Sequence, residues 1–309
     1  TTELALSRQL ATIDCELDLE LRPEDLSRRA PDTDRLREMY TRLELRSLLK
    51  QLPGWVPSAP PGAEPGPEPS PEPAPAVAGD MPRNYDTVLT DEQFDAWLGR
   101  LRDAELFAFD TETTSLDYMQ AEIVGVSFCV EPGHAAYVPL AHRYPGAPQQ
   151  LDRDAVLKRL EPLLSDPKHA KLGHHLKYDA HVLRNHGIEL RGMRYDSMLE
   201  SYVLNSTATR HDLDSTARHY LGVETIHYED VAGKGAKQIP FDQVPVERAA
   251  EYSAEDSDVS LRLHHALWSQ IERLPRVRKL YEEIEQPLVP VLLDMEHLGV
   301  LIDTAMLRK

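Results

Sequence analysis

Between residues 53 and 82 the chain reads PGWVPSAPPGAEPGPEPSPEPAPAVAGDMP, with 11 prolines. Proline has no backbone N–H and fixes its own φ, so neither a helix nor a sheet ladder can run through such a stretch. It reads as an extended, polyproline-like linker, and whatever folds must fold on either side of it. The expected organisation is a helical stretch with short extended pieces over 1–52, the linker over 53–83, a strand-and-helix domain over 84–275, and the beginning of a further domain over 276–309.

A chain of 309 residues with 41% hydrophobic content has material for about two domains. No apolar run approaches the roughly 18 residues that would cross a bilayer, so no membrane partner is expected. The acidic N-terminus shows neither a basic start nor a cleavage site, and it lacks an initiating Met, as a piece of a longer protein would. Cys15 and Cys129 lie far apart in periodic segments, which argues against a disulfide framework and for a reducing, cytoplasmic setting. The formal charge of -18 excludes broad nonspecific adhesion to nucleic acid. It leaves room for an enzyme whose contacts are confined to a strand end and whose site is neutralised by cations.

After the linker, ELFAFDTET, EIVGVSFCVE and HAAYVPLA read as three successive strands, the last two joined by a turn at EPGH. LDRDAVLKRLEPLLSD is an amphipathic helix, AKLGHHL a short strand, and KYDAHVLRNHG a helix ended by Gly187. Helical spacing returns over 196–205, 212–221 and 244–274. This order predicts an α/β domain in which a three-strand antiparallel meander is extended by parallel strands and flanked by helices.

The FAFDTET strand ends in two acids. Side chains alternate along a strand, so Asp110 and Glu112 share a face about 7 Å apart. Beside a core they share a proton, pair with a base, coordinate a cation, or simply emerge into solvent. LKYD sets Asp179 in the first turn of a helix directly after a strand, where the helix dipole alone would favour an acid. YSAED sets Tyr252 and Asp256 on one face of the long helix, with Glu255 and Asp258 expected to be solvated.

Taken together, D-x-E at Asp110 and Glu112, the second-motif Asp179, and Y-x-x-x-D at Tyr252 and Asp256 resemble the motifs of the DEDD exonuclease superfamily. FAFDTETTSLD, AAYVPLAH, LKYDAHVL, YDSMLESYVLNS, RHDLDSTA, AGKGAKQIPF and YSAEDSDVSLRLH resemble the proofreading domain of the bacterial DNA polymerase I family almost end to end. LSRQLATI resembles the tail of that family's 5′ nuclease domain, and IEQPLVPVLLDMEHLGVLID the start of its polymerase domain. The resemblance implies a ribonuclease H-like fold, a 3′-5′ exonuclease acting on single-stranded DNA 3′ ends, a nucleoside monophosphate product, and a monomer in the bacterial cytoplasm and nucleoid. It also implies two Mg²⁺ or Mn²⁺ ions roughly 3.5 to 4 Å apart. Asp110 would bridge both, Glu112 and Asp256 would hold the one that activates water, Asp179 would support the second, and Tyr252 would orient the water.

Substrate contacts implied by the same resemblance are Leu116 and Tyr228, which would wedge against bases, and Arg210, which would meet phosphate. Loop packing for Leu116, core burial for Tyr228 and an acid partner for Arg210 compete with these readings. Where the family usually has Asn four residues before the second-motif Asp, this chain has His175, a donor whose charge varies with pH. Three rivals stand beside this reading. A zinc site could be built from His174, His175 and His211, although adjacent histidines on a strand would face opposite ways. The others are an RNA-processing member of the superfamily and a silent scaffold for a polymerase domain.

Overall fold

The computed structural model describes residues 83–308, together with Thr12, residues 32–43, Leu45, Leu48 and Leu52. Cys15 and nearly all of the proline-rich stretch lie outside the described residues. Of the N-terminal unit, residues 1–70, the description includes helix α1 (Thr33–Arg42), within the stretch whose spacing predicts one. The second unit runs from Pro71 to the end.

In that unit lie β1 (Asn84–Thr87), α2 (Asp91–Asp103), β2 (Leu106–Thr113), β3 (Ile123–Glu131), β4 (His134–Pro139), α3 (Arg153–Leu164), β5 (Ala170–Gly173), α4 (Leu176–Asn185) and β6 (Met193–Asp196). They are followed by α5 (Ser197–Leu204), α6 (Leu213–Tyr220), α7 (Tyr228–Ala232), the long α8 (Val246–Ile271), α9 (Pro275–Leu280), α10 (Gln286–Leu298) and α11 (Thr304–Leu307). The strands form one sheet in the order β1-β4-β3-β2-β5-β6. Its middle is the expected antiparallel meander β2-β3-β4, with β5 and β6 added in parallel beyond β2 and β1 in parallel on β4.

Strand alternation decides what each face of β2 meets. Phe107 and Phe109 enter the larger core with Phe128, Leu160, Leu164, Leu176 and Leu183, under α3 and α4. Ala108 turns to the other side, where it packs with Cys129, Leu172 and the α8 residues Ala254 and Leu261. Asp110 and Glu112 continue that second face. Helix α8 approaches it closely because the residues it turns inward are small, including Ala250, Ser253, Ala254 and Ser257. The Oγ atoms of Ser127 on β3 and Ser257 on α8 lie 2.6 Å apart, a contact that longer side chains would forbid.

Two expectations are corrected here. Glu255 and Asp258 are not solvated, because α8 is covered nearly all round and both acids are buried with partners. Glu255 pairs with Arg83 and accepts from the Ile226 N–H, while Asp258 accepts from the Tyr85 hydroxyl, the Gly133 N–H and Arg262. His174 and His175 are not on a strand, since β5 ends at Gly173 and the chain turns at once into α4. Residues beyond 275 pack into the same unit: Val289 and Leu293 of α10 are buried, and Lys177 and His181 of α4 share Glu296.

Candidate active site

Three carboxylates meet at the C-terminal end of β2. Asp110 and Glu112 from the strand and Asp256 from α8 each offer an oxygen, all within 4.8 Å of one another. Among the described residues this is the one such grouping of acids, histidines or cysteines. Asp179 stands beside it. Its Oδ1 accepts from the backbone N–H of Thr111 at 2.9 Å and from the Thr111 hydroxyl at 2.6 Å, so the residue between the two β2 acids holds the acid of α4. Tyr252, one turn before Asp256, lies beside the Asp256 carboxylate and faces the rings of Phe241 and Tyr228 at 6.1 and 6.2 Å.

The sheet register sets these positions. Asp110 pairs with Ser127, the residue that touches Ser257 beside Asp256, and Glu112 pairs with Gly125. Directly after Glu112 the register shifts at a bulge, and pairing resumes between Thr113 and Ile123. Gly125 is required there: a Cβ would lie 2.1 Å from the Tyr137 hydroxyl, which fills the space under the acids. That hydroxyl is 2.8 Å from His142 Nε2, and His142 Nδ1 is 2.9 Å from the Val244 carbonyl. A carbonyl only accepts, so Nδ1 carries the proton and the tyrosine donates to Nε2. The pair ties β4 to the loop that carries Phe241 under Tyr252.

All four acids have their pKa values raised. Burial is the largest cause for each; it lifts Asp110 to about 6, and Glu112, Asp179 and Asp256 well above the usual carboxylate range. The charge of Asp110 adds to the rise at the other three. Burial, followed by the charges of Asp256, Glu112 and Asp110, also pushes the Tyr252 hydroxyl up, so it stays protonated. Among the described residues, no cation is hydrogen-bonded or paired to any of the four.

The residues expected to contact substrate are placed unequally. Leu116, in the β2–β3 connection, is 92% exposed, which removes loop packing as its explanation. Tyr228 is 37% exposed and stacks on Phe241, so it is neither core nor free. Arg210 is exposed and its guanidinium lies 3.0 Å from Asp212, the alternative that the sequence left open. His175 is exposed and takes a left-handed conformation, φ 70°, at the start of α4. Asn and His both tolerate that region, so the replacement keeps the turn. The zinc alternative fails on hydrogen bonding. The two ring nitrogens of His174 contact Ser197 Oγ and the His211 carbonyl, and those of His211 contact Ser201 Oγ and the Ser206 carbonyl, which leaves no lone pair for a metal.

The 3′-5′ exonuclease family model matches residues 85–272, the span that contains every one of these residues. The chain belongs to this 3′-5′ exonuclease family. It is 52% identical to DNA polymerase I of Pseudomonas aeruginosa over 98% of its own length and 32% of the relative's. It is 39% identical to DNA polymerase I of Rhizobium leguminosarum over 73% of its own length and 24% of the relative's. The chain thus spans a third or less of the relatives it matches. Among solved structures it resembles the polymerase domain of Pol1 from M. smegmatis, with a TM-score of 0.57 and 21% identity over 72% of this chain and 34% of that one. It also resembles RNase D of Trypanosoma brucei in a GMP complex, with a TM-score of 0.53 and 18% identity over 71% of this chain and 66% of that one. At these identities the structural likeness shows the fold alone, a ribonuclease H-like α/β sheet flanked by helices. The exonuclease domain uses two residues that sequence motifs did not single out, Thr111 and Tyr137. Thr111 sits between the motif acids, and Tyr137 stands in one cross-strand row with Ser127 and Asp110.

Proposed function

We propose that this domain removes nucleotides from the 3′ end of DNA, as the proofreading part of a DNA polymerase I whose polymerase domain begins within residues 276–309. The observation that carries the reading is the convergence of Asp110, Glu112 and Asp256, with Asp179 beside them and the half-exposed Tyr228 against Tyr252. The donor set fits hard divalent cations, Mg²⁺ or Mn²⁺, because it is all carboxylate oxygen and its burial leaves negative charge that no cation among the described residues meets. Glu112 and Asp256 would hold one ion, Asp179 a second, and Asp110, nearest to all, would bridge the two. When bound, such a pair stabilises charge on the reacting phosphoryl group and makes water a better nucleophile.

The chain's own side chains do the rest. The hydrolysed bond is the phosphodiester P–O3′ of the last linkage: water adds its oxygen to phosphorus, O3′ leaves as the new terminal hydroxyl, and a nucleoside 5′-monophosphate departs. Tyr252, protonated and beside Asp256, would orient the attacking water by a hydrogen bond. Leu116 and Tyr228 stack on the last bases, each contact worth about 1–3 kcal/mol and blind to sequence, as proofreading requires.

A 5′-labelled single-stranded DNA incubated with Mg²⁺ tests this. Wild type should yield a ladder shortened from the 3′ end, and Glu112→Ala should slow it by more than about a hundredfold, the equivalent of ~3 kcal/mol of transition-state stabilisation. Equal rates for the two, or degradation of an RNA oligonucleotide with the DNA left intact, would overturn the reading.

A further inference from the structure

The acid that stands apart from the other three sits in the first turn of a helix whose N-cap residue supplies no side-chain cap. Helix α4 begins at Leu176, and its N-cap residue, His175, makes no side-chain hydrogen bond and holds a left-handed φ. The cap is supplied from another part of the chain. Asp196, at the end of the neighbouring strand β6, is 2% exposed. Its Oδ2 accepts from the Leu176 N–H at 2.9 Å and its Oδ1 from the His175 N–H at 3.0 Å. The same Oδ1 caps α5 through the N–H groups of Met198, at 3.0 Å, and Leu199, at 3.4 Å. One buried carboxylate therefore closes the first turns of two helices.

Asp179 lies in the first turn of α4, three residues after Leu176, so any loosening of that turn moves its carboxylate relative to Asp110. Asp196 is itself held. Its backbone N–H donates to the Tyr281 hydroxyl at 2.8 Å, which donates to Gln286 Oε1 at 3.0 Å, while Gln286 Nε2 donates to the Met193 carbonyl at 2.7 Å. Tyr281 and Gln286 belong to the segment that leads from α9 into α10.

We propose that Asp196 is a positioning residue for Asp179: by capping α4 from β6 it fixes the fourth carboxylate beside the other three, with Tyr281 as its brace. The kinetic part of this rests on the exonuclease reading above, and the metal-binding part does not.

Asp196→Asn separates the two caps. An amide oxygen still accepts from His175, Met198 and Leu199, and asparagine remains a good cap for α5. Its NH₂ then faces the Leu176 N–H, donor against donor, and α4 loses its bond. In calorimetric titrations of the metal-free chain with Mn²⁺, Asp196→Asn should weaken binding by about tenfold, the size of one lost hydrogen bond to a carboxylate. With single-stranded DNA, kcat should fall by a similar factor, KM should hold, and excess Mn²⁺ should recover kcat. In an Asp179→Asn background the second substitution should have no further effect on either measurement. Unchanged metal affinity and kcat beside a lowered Tm, or full additivity with Asp179→Asn, would reduce Asp196 to a purely structural cap and overturn the proposal.

Should Asp196→Asn fail to fold, Tyr281→Phe leaves the carboxylate in place and removes only its brace. It should shift Mn²⁺ affinity in the same direction by a smaller factor, and unchanged affinity there would equally overturn the proposal. Wild type that binds Mn²⁺ but leaves DNA intact would refute the exonuclease reading alone, with the titrations still deciding the role of Asp196.

Discussion

Asp110 is the least shifted of the four acids and so ionises first. It is the charge that raises its three neighbours, and burial lifts its own pKa from 3.8 to about 6. A carboxyl that is harder to ionise in the folded state binds more protons there than in the unfolded chain, so the metal-free protein loses stability as pH rises from about 4 to 6 and stays lower above. Asp110→Asn removes that loss. Without metal it should stabilise the fold at pH 8 by on the order of 3 kcal/mol, a gain that vanishes near pH 4, as read by thermal melts at both pH values. Divalent cation should raise the Tm of wild type at pH 8 far more than that of the variant. Tyr252→Phe makes a second point about single residues. The substitution removes one hydroxyl from a buried position without changing a ligand, so single-turnover rates should fall about tenfold to a hundredfold while Mn²⁺ affinity holds. A loss of metal affinity equal to the loss of rate would assign Tyr252 to structure.

At the scale of elements, the site depends on how closely α8 and β4 approach the meander. Gly125 is the most exacting position, because a methyl group there would collide with the Tyr137 hydroxyl, which has His142 behind it and no exposed direction in which to move. Gly125→Ala should lower stability by about 1–3 kcal/mol in urea titrations and reduce exonuclease activity with it, because Gly125 pairs with Glu112. Much at this scale was legible in residue order. The meander strands are apolar and bounded by turn residues, and α3 to α6 and α8 carry helical spacing. Strands β1 and β6 did not announce themselves, since NYDT and MRYD are short, polar edge pieces whose structure comes from the strands beside them. Helix α2 did carry a signal: Phe94, Trp97, Leu98 and Leu101 fall at helical spacing behind a Thr90–Gln93 capping box. The burial of Glu255 and Asp258 was hidden because most of their partners, Arg83, Tyr85 and two backbone N–H groups, are set by tertiary packing, and only Arg262 is a helical neighbour.

At the scale of the whole molecule, a formal charge of -18 and a nucleic-acid substrate are compatible only if contact is local. The exonuclease should grip a strand end by stacking and by bound cations, and not by a basic face. For single-stranded DNA binding to Glu112→Gln, followed by fluorescence anisotropy, log K against log salt should have a slope of about −1 to −2, and a slope near −6 would require a basic tract. The four acids and Tyr252 could be found from motif order, because metal-dependent chemistry constrains residue type at each position. Thr111, Tyr137 and Asp196 could not, because they act through distances that only the folded sheet defines. The central claim is that these carboxylates hold a pair of metal ions, and crystals soaked with Mn²⁺ and a deoxynucleoside monophosphate test it directly by anomalous scattering. The account predicts two peaks roughly 3.5 to 4 Å apart, one against Asp110, Glu112 and Asp256 and the other between Asp110 and Asp179. A cluster that stays empty under those conditions, or one ion alone with Asp179 still tied to Thr111, would contradict it.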